Sequence, residues 1–424
     1  MRPGDDGYIN VPEGETMMTL EGHTKNVYCM IQLTDGRLVS CGWDNTLKIW
    51  DTISGSCLMT LQGHTNWVRC VIQLTDGRLV SGSYDNTLRI WDTISGSCLM
   101  TLEGHVFTVW CCIELTDGRL VSGSQDNTLI IWDTISGSCL TTLEGHTDEV
   151  LCLVQLDDGR LISGSQDNTL MIWDTISGTC LMTLEGHTDF VYCMIQLTDV
   201  RLVSGSFDNT LRIWDTISGS CLITLEGHTN TVICVIQLTD GRLVSCSADK
   251  TLKIWDIISG SCLTTLEGHT EIVYSVTQIT DGRLVSGSSD DTLKIWDTIS
   301  GCCSMTLRGH TDNVRCVTQL VDGRLVSGSY DKKLKIWNIM SLSQQKWIRR
   351  RLLVLLFEAS KILSEPPNLF EMISINQHRR HDLELLLHFS FNNKSNGIIN
   401  LKALKIIVKV LSLPEIAMRI AEYL

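Results

Sequence analysis

The chain has 424 residues, with 34 Lys and Arg against 48 Asp and Glu, and its net charge of −14 repels a nucleic-acid backbone rather than gathering one. Its longest apolar runs, such as Leu352 to Phe357, fall far short of the roughly 20 residues that a bilayer demands, so no membrane-spanning helix is expected. Residues 1 to 15 are acidic, contain Gly and Pro, and lack the apolar core of a secretion signal, which points to the cytoplasm, with the nucleus also open to the protein.

In chain order, residues 1 to 15 read as a flexible segment, and Thr16 to Leu20 as a short strand running into Glu21-Gly22-His23. Asn26 to Leu33 alternates apolar and other side chains as a half-buried strand does, and Asp35-Gly36 supplies the residues of a tight hairpin turn. Arg37 to Gly42 is the return strand. Asp44-Asn45 turns the chain into Thr46 to Trp50, and Ser54-Gly55 leads to a fourth strand, Cys57 to Leu61. The predicted unit is a four-stranded antiparallel meander.

That unit then repeats. Gly-His pairs end at His23, His64, His105, His146, His187, His228, His269 and His310, each 41 residues after the last, and a tryptophan follows each of them 27 residues on, from Trp50 to Trp337. Seven of these tryptophans precede aspartate. A Gly-His and Trp-Asp pair at this period resembles the WD40 repeat, whose units are blades of a β-propeller. The resemblance covers residues 16 to 338 and implies an all-β, closed eight-bladed WD40 propeller; residues 339 to 424 carry no WD signature and read as a separate C-terminal α-helical region. The eighth unit stops at Trp337-Asn338 without a fourth-strand segment, and residues 16 to 20 match that segment, so the first strand of the chain is expected to complete the last blade. A seven-bladed ring with one dangling unit is the alternative.

In the WD40 family the Gly-His histidine, a serine or threonine, the turn aspartate and the tryptophan form a hydrogen-bonded network in each blade. The resemblance places it at His23, Ser40, Asp44 and Trp50 in the first unit and at His310, Ser327, Asp331 and Trp337 in the last. Histidine, aspartate and serine also make a hydrolase triad, but eight copies in a row assign them to structure, and no catalytic residue is expected. The 18 cysteines follow the repeat as well: Cys29, Cys70, Cys111, Cys152, Cys193, Cys234 and Cys316 share one place, and Cys57, Cys98, Cys139, Cys180, Cys221 and Cys262 another. Both sets alternate with polar neighbours and are expected to be small buried hydrophobes. With no Cys-x-x-Cys pair, neither a metal nor a cofactor is expected.

The copies differ at particular places. The Thr-Asp-Gly-Arg and Asp-Thr-Ile-Ser-Gly-Ser turns repeat almost verbatim, with Val200 standing where other units have glycine. The residues after each Gly-His and the residue before each turn aspartate vary, and in WD40 propellers these places lie on the top face around the channel. The place before the aspartate includes Trp43, Tyr84, Phe207 and Tyr330; the fifth residue after histidine reads Tyr28, Arg69, Trp110, Leu151, Tyr192, Ile233, Tyr274 and Arg315. Ring closure sets Arg315, Tyr28 and Arg69 on three successive blades, beside Tyr330, Trp43 and Tyr84. With Trp67 and Trp110 these make the candidate peptide-binding site. Phe107 and Phe190 extend it. Asp148, Glu149, Asp189 and Glu271 make the opposite arc negative and suited to a basic peptide, and Asp312 is a candidate ion-pair partner for Arg315.

The repeats, which read like Leu-Val-Ser-Gly-Ser-x-Asp-Asn-Thr-Leu-Lys-Ile-Trp-Asp with one or more departures in each copy, are also similar to those of the WD40 substrate receptors of cullin-type ubiquitin ligases. Those receptors grip phosphorylated peptides with arginines at the places of Arg69 and Arg315 and a tyrosine at the place of Tyr28, and a guanidinium suits phosphate because it offers planar, bidentate donors. They also carry an arginine before the turn aspartate, which this chain never does.

Residues 1 to 338 hold 22 Lys and Arg against 41 Asp and Glu, a net −19, whereas residues 339 to 424 hold 12 against 7, a net +5. In this second part Trp347 to Leu363, Asp382 to Phe391 and Leu401 to Leu424 read as helices, broken at Pro366-Pro367, Asn392-Asn393 and Asn396-Gly397. Leu411 to Ile416 resembles the opening of an F-box helix, with Leu-Pro-Glu in place of Leu-Pro-x-Glu. The expected function is a non-enzymatic scaffold or adaptor that binds peptide segments of other proteins on the top face; the sequence sets no oligomeric state. The alternative is a substrate receptor of a cullin-type ubiquitin ligase that recognises phosphorylated peptides, with the F-box-like helix docking the ligase.

Overall fold

The computed structural model describes residues 14–339, and within them all regular structure is β-strand. The N-terminal residues before Gly14 and the predicted helical region from residue 340 onward lie outside the described residues. Thirty-two strands form eight four-stranded antiparallel sheets. In blade 1 these are Val27–Gln32, Leu38–Gly42, Leu47–Trp50 and Cys57–Leu61, side by side in that order. The first strand of every blade touches the first strands of its two neighbours, and the circuit closes between Val314–Gln319 and Val27–Gln32. The eight inner strands therefore surround a channel, and each fourth strand lies on the perimeter.

The turns show why the local sequence folds this way. Leu33 O accepts from Gly36 N at 2.9 Å while Leu33 N donates to Arg37 O at 2.8 Å, and Gly36 takes the left-handed φ of 88° that this hairpin needs. In blade 5 the same place is Val200, held at a φ of 67°. The turn after the second strand also needs a left-handed residue. Asparagine supplies it at Asn45 and in four further blades, and Lys250, Asp291 and Lys332 supply it in the last three.

The apolar core lies between blades. Leu33, Val39, Leu47, Ile49 and Leu61 of blade 1 pack against Val68, Val71, Leu79 and Trp91 of blade 2, and the same sandwich recurs around the ring. It closes with Leu20, Leu320, Val326, Leu334 and Ile336 against Val27, Met30, Leu38 and Trp50. At the seam, Thr16–Glu21 pairs antiparallel with Lys333–Trp337, aligning Leu20 with Leu334 and Glu21 with Lys333. The sequence reading leaves Gly14 and Glu15 in the flexible segment. Backbone bonds carry the ladder through them instead, from Gly14 N to Asn338 O at 2.7 Å and from Asn338 N to Glu15 O at 3.1 Å.

Each blade is pinned inside by one polar chain. In blade 1 the Trp50 indole N–H donates to Ser40 Oγ at 2.8 Å, Ser40 Oγ lies 2.7 Å from His23 Nε2, and His23 Nδ1 lies 2.9 Å from Asp44 Oδ2. With the indole occupying the serine as acceptor, the hydroxyl proton goes to Nε2, and the imidazole donates from Nδ1 to the carboxylate. The last blade repeats it through Trp337, Ser327, His310 and Asp331, with His310 Nδ1 2.6 Å from Asp331 Oδ2. The histidines of all eight networks are buried.

The two sets of cysteines part company. Cys29 and its equivalents sit on inner strands between blades, whereas Cys57, Cys98, Cys139, Cys180 and Cys262 are exposed, which corrects the expectation that both sets are buried. The second set opens the fourth strand, whose outer flank has no neighbouring strand among the described residues.

Candidate functional site

In an up-and-down blade the loop carrying Gly-His and the turn carrying the aspartate fall at the same end, so the variable residues of all eight units gather on one face. A second device aims them. Every inner strand breaks register after its first residue, between Val27 and Cys29 in blade 1, Val68 and Cys70 in blade 2, Val109 and Cys111 in blade 3 and Val314 and Cys316 in blade 8. The extra residue at each bulge is the fifth after histidine. Tyr28, Arg69, Trp110, Tyr192, Tyr274 and Arg315 are thus released from strand pairing at the channel mouth, a placement that re-aims a side chain.

The structure brings all eight candidate residues into one connected cluster. Trp43 and Trp67 stack with centroids 4.3 Å apart and planes 6° from parallel, Tyr330 lies against Trp43 at 5.2 Å, and Tyr84 bridges Trp67 and Trp110 at 5.3 and 5.4 Å. This aromatic arc runs over blades 8, 1, 2 and 3. Beside it, the Arg69 guanidinium lies 4.0 Å from the Tyr28 ring and 5.0 Å from Trp110, and that of Arg315 lies 4.9 Å from Tyr28 and 4.2 Å from Tyr274. Arg315 Nη2 donates to Tyr28 Oη at 2.8 Å and to Tyr192 Oη at 3.2 Å.

Tyr192 and Tyr274 are the residues that sequence reasoning left out. Both stand at the bulge position, but neither belongs to the three adjacent blades that ring closure singled out. Tyr192 joins from blade 5 by reaching Arg315 across the channel. Burial raises its hydroxyl, and the guanidiniums of Arg315 and Arg69 lower it by more, so it lies below the ordinary tyrosine range.

Asp312 does not neutralise Arg315. Its carboxylate accepts from Asn313 N at 2.8 Å, and among the described residues no carboxylate lies within ion-pair distance of either arginine. Arg69 Nε and Trp110 Nε1 are buried without an acceptor. The cluster is therefore cationic and aromatic, and holds two unspent donors on adjacent blades. The opposite arc is already satisfied in part: Gln125 and Gln166 donate to the two oxygens of Glu149 at 2.9 and 3.0 Å, and Lys250 pairs with Glu271 at 3.3 Å. Asp189 caps the backbone of Phe190, whose ring packs on Phe207, and Phe107 stands exposed. Among the described residues no three His, Cys, Asp or Glu side chains are grouped to hold a metal, and no helix is long and apolar enough to cross a membrane.

The family model for the WD domain, G-beta repeat (WD40) matches eight times, at residues 14–51, 55–92, 96–133, 137–174, 178–215, 219–256, 260–297 and 301–338. No curated protein matches the chain. Among solved structures, the computationally designed Ika8 protein is similar at 32% identity and a TM-score of 0.70, over 77% of this chain and 100% of that one.

Proposed function

Because the chain belongs to the WD40 repeat family, whose propellers mediate protein–protein interaction, we propose that it is a non-enzymatic scaffold or adaptor whose top face binds a peptide segment of a partner protein. One observation carries this reading. On a ring whose opposite face repeats almost verbatim, two arginines without a carboxylate partner among the described residues and six half-buried aromatic residues form a single cluster over four successive blades, which Tyr192 and Tyr274 join from blades 5 and 7. Aromatic and arginine side chains of this kind are the anchors of protein interfaces. Among the described residues, the triad-like His, Ser and Asp of every blade are held in the blade networks. The cytoplasm is the proposed location, with the nucleus also open.

The uncompensated guanidiniums favour one finer reading, a substrate receptor of a cullin-type ubiquitin ligase that takes a phosphorylated peptide. Against it, the place before the turn aspartate carries Trp43, Tyr84 and Tyr330 where those receptors carry arginine. Peptides selected from a displayed library test the proposal by fluorescence polarisation. Binding is expected to weaken at least tenfold in Arg69→Ala and Trp67→Ala and to be unchanged in Ile217→Ala on the opposite face. Equal affinity for all three variants overturns the assignment. Phosphatase treatment of captured peptides separates the two readings, since only the ligase reading requires the phosphate.

A further inference from the structure

Four cysteines break the repeat, and each lies beside one that keeps it; of these, Cys302 is exposed on the perimeter next to Cys303, and the other three lie inside the blades. Cys41 and Cys246 occupy second-strand places that are glycine in the other six blades, and they face Cys29 and Cys234 across the ladder of a single blade. Cys112 stands where Val71, Val235, Val276 and Val317 stand in other inner strands, and its Sγ lies 3.5 Å from Cys70 Sγ. This pair joins two blades at contact distance. Cys70 follows Arg69, and Cys112 lies two residues beyond Trp110, so the thiols flank the bulges that carry the two unspent donors.

From this geometry we propose that Cys70 and Cys112 are an oxidation site, at which a hydroperoxide converts the two thiols to a reversible disulfide tying blade 2 to blade 3 in the wall of the top-face cluster. The two sulfurs have distinct roles. Cys112 is buried, whereas Cys70 is half-buried and meets the oxidant first. The hydrogen bond with Cys70, together with burial, pushes the Cys112 thiol well above the ordinary cysteine range, so Cys112 keeps its proton until the second step. The Cys70 thiolate attacks the outer peroxide oxygen, the O–O bond breaks, and a sulfenic acid forms while the alcohol, or water, leaves with the proton that Cys70 gave up. Cys112 sulfur then attacks Cys70 sulfur, the S–O bond breaks, and hydroxide departs as water with the Cys112 proton. Two thiols and one hydroperoxide give one disulfide, one alcohol and one water. The perimeter cysteines have no such arrangement: the thiol of Cys57, for example, contacts Met59 O and Thr60 Oγ1 of its own strand.

The site stands whether or not the top face binds a peptide. It is tested on the reduced full chain by adding hydrogen peroxide, alkylating free thiols in denaturant and mapping non-reduced peptides by mass spectrometry. The expected product joins the Cys70 and Cys112 peptides, is cleaved by dithiothreitol, and is absent from Cys112→Val and Cys70→Ser. Both variants install residues that other blades carry at those places, valine at four of them and Ser275 in blade 7, and circular dichroism is expected to show both folded. Recovery of Cys70 and Cys112 as free thiols while the perimeter cysteines oxidise overturns the proposal. So does a cross-link from Cys70 to Cys111 or Cys29, or a sulfinic acid at Cys70 without a cross-link.

Discussion

Val200 isolates the cost of one backbone angle. At the equivalent glycines, such as Gly118 and Gly241, an added Cβ meets nothing within 4 Å, so a side chain here is unfavourable only through its left-handed φ. A β-branched residue in that region stores about 1–3 kcal/mol, part of which glycine's greater unfolded-state freedom cancels. Val200→Gly is therefore expected to stabilise the chain by about 1 kcal/mol, read as a higher urea midpoint at constant slope. A lower midpoint would show that the exposed valine makes a compensating contact. The turn aspartates set the acid limit. Burial raises Asp44, but hydrogen bonds from His23, Thr24 N and Thr46 outweigh it and hold the carboxyl down to about 2. The other seven turn aspartates are lowered in the same way. An unfolded aspartate titrates near about 3.9. The folded state thus binds fewer protons, so this stability is complete above pH about 4 and is lost as pH falls toward 2. Urea midpoints measured from pH 7 to pH 2 are expected to stay level and then drop below pH about 4. A drop already complete by pH 5 would assign the acid limit to other groups.

At the level of strands and turns, neighbouring blades are joined by two links that each recur around the ring. Thr34 N donates to Gln73 Oε1 at 2.9 Å, and Arg37 Nη1 donates to Thr93 O at 2.8 Å; at the seam these become Val321 N to Gln32 Oε1 at 2.9 Å and Arg324 Nη1 to Thr52 O at 2.8 Å. The seam thus has every inter-blade link that the other junctions have, and differs only in a fourth strand borrowed from the far end of the chain. Removing residues 1–21 deletes that strand and exposes Leu334 and Ile336. The truncated chain is expected to unfold well below the full chain in a thermal scan, with blade 8 the first to exchange its amide hydrogens. Matching melting curves would mean that the borrowed strand contributes nothing to closure. The four-strand unit and its turns were legible because Gly-His, Asp-Gly and Trp-Asp recur every 41 residues. The bulges were not. A one-residue register shift leaves no mark in an apolar-polar alternation, so Tyr28 and Arg69 were readable as variable but not as unpaired. Nor was the Arg37 link, which spans 56 residues and depends on the angle between blades.

Across the whole molecule, self-similarity made the ring readable and also gives it a folding hazard. The count of eight blades followed from the repeat, whereas the reach of Tyr192 to Arg315 did not, because it depends on the width of the channel and not on order along the chain. The closing strand resembles the fourth strand of every other unit, and its partner lies more than 300 residues away, as the pairing of Glu21 with Lys333 shows. Contacts that distant form late, since loop closure must precede them. Until they form, the open edge of Lys333–Trp337 accepts the same segment from another copy as readily as from its own chain. Refolding from urea is therefore expected to yield monomer at low protein concentration and a growing share of strand-exchanged oligomers as concentration rises, resolved by size-exclusion chromatography. Chains lacking residues 1–21 have no strand to donate and are expected to lose that concentration-dependent species. If they form it equally, the exchange proceeds through whole blades, and the borrowed strand is not the weak point of the ring.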